Sequence, residues 1–259
     1  MRATGALTVG GVAARRTTAA RGPWAVNVAF YLIVIAMLSG LWRVAVRGAG
    51  GAIAGYSPAA ITWYIATTEA VTTSMRMRFI DDLGNAIGTG AIATDMLRPA
   101  RVLAVRAADE LGGVLPRLAL TLAIGWLYSA VVGRSAPSGA ALVLAAAAAV
   151  LAVMCNLAGQ LAFSASAFWL RDAGAAWYVY WKFVFVIGGM LIPLEMLPGW
   201  LRATARWLPF RAMAYAPGRL ASGFVEPWLL VEQVAWLAVL SALAFTAFAA
   251  GERRMVREG

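Results

Sequence analysis

Few side chains in this 259-residue chain can do chemistry, and several of them stand inside apolar runs. Glu69 lies among Thr62, Thr67, Thr68, Thr72 and Thr73. Thr62, Glu69 and Thr73 are spaced seven and four apart, which a helix turns to one side. A carboxylate among hydroxyls at membrane depth faces a bundle interior or a wet cavity. Two readings stay open for Thr62, Glu69, Thr72 and Thr73: the wall of a substrate path, or a hydrogen-bonded contact between helices. Lys182 stands in the run WYVYWKFVF. Its ammonium can hold an anionic substrate group, pair with Glu69, or snorkel to the interface. Trp177, Tyr178, Tyr180 and Trp181 around it read as an aromatic belt at the cytoplasmic interface.

Other chemistry is excluded by what the chain lacks. It has no histidine, a single cysteine (Cys155) and a single lysine. The commonest general base and metal ligand is therefore absent, and we expect neither a catalytic nor a metal site. A P-loop needs G-x-x-x-x-G-K-[ST], but Lys182 follows Trp181. Gly88 and Gly90 therefore belong to no ATP site. The pairs Asp81–Asp82 and Asp109–Glu110 read as solvated or capping charges at helix junctions.

The elements that position these residues are membrane spans. Hydrophobic residues make up 62% of the chain and the mean hydropathy is +0.75; a soluble domain has roughly 45–50% apolar residues. Six helical spans are predicted: 24–46, 58–75, 111–132, 139–170, 173–192 and 228–250. The fourth is too long for a straight crossing. The net charge of +10 is carried mostly by arginines flanking these runs. Placing both termini in the cytoplasm collects Arg2, Arg15, Arg16, Arg21, Arg76, Arg78, Arg98, Arg101, Arg106, Arg171, Arg253, Arg254 and Arg257 on one side, against Arg43, Arg47, Arg134 and the four arginines of the last loop on the other, a bias that fits the positive-inside rule. This basic balance does not indicate nucleic acid. The domains are then a cytoplasmic segment 1–23, an all-α six-helix membrane domain 24–250, and a cytoplasmic tail 251–259.

Two connections look structured. Residues 76–110 read as a cytosolic elbow: an amphipathic lead-in, a turn-rich tip, and a helix feeding the third span. Arg101, Arg106, Asp109 and Glu110 hold this elbow at the membrane surface. Apolar Ile92, Met96 and Leu97 at the tip suggest a partner surface. On the other side, 193–227 carries Arg202, Arg206, Arg211 and Arg219 interleaved with Trp200, Trp207 and Phe210. Prolines 193, 198, 209 and 217 break it into short pieces that lie at the interface or re-enter the bilayer edge.

These features together resemble the ABC-2 type permease subunits of bacterial ABC exporters. The residues that carry the resemblance are GTGAIATDMLRPARVL (88–103), SASAFWL (164–170) and IPLEMLPGWLRATARWLPFRAMAYAPGRLASG (192–223). The resemblance implies a multi-pass subunit of a bacterial cell membrane, paired with a second copy or a related six-span permease. It implies two separate cytosolic P-loop ATPase subunits per complex, which bind the ATP and Mg. It also implies that Asn85, Ile87, Ile92, Thr94, Asp95, Met96, Leu97 and Arg98 form the ATPase-docking elbow. Pro193, Glu195, Pro198, Trp200, Pro209 and Phe210 would form an external gate. The cargo route would run along spans two and five, with Thr62, Glu69, Thr72, Thr73 and Lys182, and would suit a hydrophobic or amphipathic drug, lipid or peptide moving outward. The alternative is an ion-coupled secondary transporter or channel using Glu69 and Lys182. That class favours two similar halves with paired broken helices, and no such repeat is visible.

Overall fold

A computed structural model describes residues 3–19, 21–76, 78–92, 102–170 and 174–258. It is helical, with no strand among the described residues. In chain order the helices are α1 (Ala3–Ala19), α2 (Arg21–Gly48), α3 (Pro58–Ser74), α4 (Phe79–Gly88), α5 (Val102–Gly133) and α6 (Gly139–Ser164). They continue with α7 (Gly174–Val186), α8 (Gly199–Arg206), α9 (Phe210–Met213), α10 (Tyr215–Ala221) and α11 (Trp228–Glu258).

Four helices are long and apolar enough to cross a membrane: Trp24–Gly48, Val102–Gly133, Gly139–Phe168 and Trp228–Met255. Their outward surfaces are apolar. Along α2, Val26, Phe30, Ile33, Met37, Leu41 and Val44 are all exposed. A water-soluble bundle would turn such residues inward, so this outer face is made for hydrocarbon.

The other two predicted spans are shorter. Helix α3 has 17 residues, about 25 Å at 1.5 Å per residue. Ser57 caps it by accepting from the Ala60 N–H at 3.1 Å, and Pro58 follows where no N–H is needed. It is buried on every side, between α2, α5 and α10. Helix α7 has 13 residues, about 20 Å. It ends well before the expected 192, because the backbone turns at Gly189 with φ +74, a conformation that glycine adopts at little cost.

Three boundaries differ from expectation. Helix α5 begins at Val102, nine residues before 111, so the stretch 102–110 and the apolar run after it are one continuous helix. The fourth run is α-helical only to Ser164 and tightens into a 3-10 turn over Ala165–Phe168. Helix α11 continues through Glu258, so the tail after 250 is helical. The segment before residue 24 is also helical: α1 packs lengthwise on α5.

The interior divides into two clusters. One gathers Tyr31, Ile80, Leu83, Leu118, Val153 and Trp181 near the elbow. The other gathers Tyr56, Ile61, Tyr64, Leu194 and Leu220 near the proline-broken segment. A few polar side chains fasten the helices across these clusters. The Gln233 amide on α11 donates to Ala148 O at 2.9 Å and Ala212 O at 2.8 Å. The Tyr31 hydroxyl donates to Ala66 O at 2.8 Å.

Candidate functional site

The elbow begins where α3 stops. Met75 turns to extended backbone, and α4 starts four residues later with Asp81 and Asp82 in its first turn, where the helix dipole favours negative charge. Helix α4 is strongly two-sided. Phe79, Ile80, Leu83 and Ile87 are buried against the bundle, and Asp82 and Asn85 face out. Ile92 is also buried, at 1% exposure. The exposure expected of Ile92 at the tip is therefore corrected: the apolar residues at 87 and 92 hold the elbow onto its own bundle. Asn85 remains on the outward side, and its amide donates to Asp81 Oδ1 at 3.4 Å. Thr94, Asp95, Met96, Leu97 and Arg98 lie outside the described residues.

Arg76 ties this elbow to α5. One guanidinium nitrogen donates to Glu110 Oε2 at 3.1 Å and the other to Asp82 Oδ2 at 3.3 Å. Glu110 is buried, so it is not the solvated junction charge the sequence suggested. Arg76 is about half exposed at 46%, which leaves the pair a partly screened latch rather than a sealed one.

Inside the bundle, α3 presents the threonine–glutamate set. The Thr62 hydroxyl donates to Pro58 O at 2.8 Å. Thr68 donates to Met190 O at 3.2 Å, and Thr72 to Thr68 O at 3.1 Å and to the Met190 sulfur at 3.2 Å. Trp126 donates its indole N–H to Thr67 Oγ1 at 3.1 Å. These hydroxyls are occupied in bonds within α3 and to its neighbours. Thr73 is half-buried. Glu69 is different: it is 5% exposed and its Oε1 has no hydrogen-bond partner among the described residues.

Lys182 is not brought to Glu69. It is exposed on α7, with its ammonium 4.9 Å from the centre of the Tyr178 ring. The aromatic belt expected around it is corrected in part. Tyr180 and Trp181 are core residues, 0% and 2% exposed. The Tyr180 hydroxyl donates to Asn156 Oδ1 at 2.6 Å. Only one side of α7 faces out, and Tyr178 stands on it.

At the opposite end the proline-broken segment forms a cap. Pro193 and Phe210 are buried; Pro198 and Trp200 are exposed; Pro209 is half-buried. Phe210 stacks on Phe183 of α7 with centres 5.3 Å apart. Glu195 is the hub. It accepts from the Tyr56 hydroxyl at 3.2 Å and from the Tyr215 hydroxyl, and lies 3.6 Å from an Arg219 nitrogen. Arg219 also pairs with Glu226 at 2.8 Å. Burial first, and then the Glu195 carboxylate, push the Tyr56 and Tyr215 hydroxyls up from their ordinary range, so both stay protonated donors.

Several positioning residues escape a reading of the sequence alone: Arg76 as a latch, Tyr31 and Tyr56 as cross-links, Asn156 and Gln233 as buried ties. The signal for the last two exists. A lone amide in a long apolar run must find a partner inside the bundle.

An all-helical protein with apolar helices turned outward is a multi-pass membrane protein. Residues 30–259 match the family described as ABC-2 family transporter protein. The chain belongs to that family, whose members are membrane subunits that associate with ATPase subunits. No curated relative matches it significantly.

Proposed function

We propose that this chain is the transmembrane subunit of an ATP-driven exporter. The family match over 30–259 carries the reading. The six spans are α2, α3, α5, α6, α7 and α11, with both termini and the α4 elbow in the cytoplasm of a bacterial cell. Two such subunits, identical or related, enclose the path, and each takes one separate P-loop ATPase that supplies ATP and Mg. The ATPase docks on the outward side of α4 at Asn85 and on the segment Thr94–Arg98, while Ile87 and Ile92 anchor that elbow from within. Motion of the elbow reaches α3 through the turn at Met75 and α5 through the Arg76–Glu110 latch. The cargo is hydrophobic or amphipathic, a drug, lipid or peptide. It moves outward past Glu69 and leaves through the cap around Glu195 and Phe210.

The test replaces Asp95, Met96 and Leu97 together by alanine in the co-expressed complex. Substrate-stimulated ATP hydrolysis is expected to fall to the level of the ATPase alone, with the unfolding midpoint of the membrane subunit unchanged. Full stimulation in that variant overturns the docking assignment, and failure to isolate any P-loop ATPase with the native chain overturns the exporter reading. The unpartnered Oε1 of Glu69 favours one second reading, an ion-coupled carrier. Transport driven by a proton or sodium gradient without ATP would select it.

A further inference from the structure

At the cap end of the bundle, four arginines border a single cavity of about 420 Å³, a size within the usual range for ligand sites. Two of them are neutralised. Arg211, 7% exposed, pairs with Glu232 at 2.8 Å. Arg219 pairs with Glu226 at 2.8 Å and faces Glu195 at 3.6 Å. Glu195 is further held by the Tyr56 and Tyr215 hydroxyls. All three carboxylates are thereby engaged. The other two arginines, Arg202 and Arg206, line the same cavity. They sit four residues apart on α8, so they share one side of it. No carboxylate among the described residues pairs with either. The cavity therefore has a wall of two guanidinium groups with no carboxylate partner, over a floor of two arginines and three carboxylates, and the site as a whole keeps a net positive charge.

Such a wall calls for an anion, and paired guanidinium forks match the tetrahedral oxygens of phosphate. The surroundings indicate where that phosphate comes from. Trp200, Trp207 and Trp228 around the same segment are 72%, 83% and 52% exposed. Exposed tryptophans gather at the headgroup level of a bilayer, and a short amphipathic helix with arginines and tryptophans lies in that plane. At that depth the abundant anion is the phosphate of a lipid.

We propose that this cavity binds the phosphate of an anionic phospholipid headgroup, gripped by Arg202 and Arg206 of α8. Arg211 and Arg219 shape the floor, where their own carboxylate partners more than offset their charge. The site needs only this chain, so it stands or falls separately from the exporter reading.

The experiment measures lipid retention by the detergent-solubilised full chain in native mass spectrometry, with phosphatidylglycerol and phosphatidylcholine added separately. The wild type is expected to retain phosphatidylglycerol preferentially. Arg202→Gln with Arg206→Gln should weaken that retention roughly tenfold and leave phosphatidylcholine unchanged. Arg202→Lys with Arg206→Lys keeps the charge and should recover part of the loss. Arg43→Gln with Arg47→Gln removes the same charge elsewhere and should have no effect. Unchanged phosphatidylglycerol retention in the Gln pair overturns the site. So does an equal loss in the Arg43/Arg47 control, which would mean long-range charge alone. Glycerol 3-phosphate supplies the soluble source. If it displaces the lipid at micromolar concentration, the phosphate belongs to a soluble ligand and the lipid assignment is overturned.

Discussion

Replacing Gly112 by alanine tests whether α1 is an integral part of the bundle. A Cβ at Gly112 would lie 2.2 Å from Gly10 O and 2.8 Å from Gly10 C and Cα. These are backbone atoms and cannot rotate aside. Restoring a contact of about 3.5 Å requires the two helices to part by roughly an ångström. Overpacking of this kind costs about 1–3 kcal/mol. Alanine for glycine inside a helix returns at most about 1 kcal/mol, so the net loss is about 0–2 kcal/mol. Gly11, on the facing helix, has nothing within 4 Å of its added Cβ. Gly11→Ala therefore collects only the gain, and the two variants should differ by about 1–3 kcal/mol. At about 2–4 °C per kcal/mol, Gly112→Ala should unfold roughly 2–12 °C below Gly11→Ala in the same detergent. Partial undocking should also speed tryptic cleavage at Arg15 and Arg16, which needs local opening of α1. The reasoning is refuted if Gly112→Ala matches or exceeds Gly11→Ala in midpoint with cleavage unchanged.

The elbow latch predicts a coupled pair. Arg76→Gln leaves Glu110 buried without its cation and should cost about 1–2 kcal/mol, less than a fully buried pair because Arg76 is half exposed. Adding Glu110→Gln should recover most of that loss in a double-mutant cycle, and purely additive effects would show that the two do not interact. Glu69→Gln removes a buried carboxyl with a free oxygen, so the unfolding midpoint should hold or rise while the transport rate changes; an unaltered rate assigns Glu69 to packing. Gln233→Leu breaks the ties to Ala148 O and Ala212 O and should lower stability by about 1–2 kcal/mol, read from the same unfolding curve. Full stability in Gln233→Leu would mean those carbonyls find other donors.

Much of the architecture is legible from hydropathy. The starts of α3, α6 and α11 are within the sequence at Ser57–Pro58, Ser138–Gly139 and Trp228, where a cap or turn residue meets an apolar run. The break after α3 and the two-sided helix α4 also follow from the arginines, glycines and apolar residues of 76–90. The failures share one cause. Hydrophobic periodicity reveals which side of a helix avoids water, but within a bilayer both sides are apolar. So nothing local shows that α3 is buried all round, or that Tyr180 and Trp181 face inward while Tyr178 faces out.

The same limit applies to the charged residues. By itself the sequence determines a membrane protein with no histidine and a single cysteine, with arginine-rich flanks and proline- and glycine-broken connections between its apolar runs. Only the tertiary structure decides which charges meet. It pairs Glu110 with Arg76 across 34 positions and sets Lys182 over Tyr178 instead of beside Glu69. It also leaves Arg202 and Arg206 facing one cavity after every nearby carboxylate is used. Pairing depends on distance in space, which helix packing sets. The spacing of residues along the chain constrains it only within a turn or two of one helix.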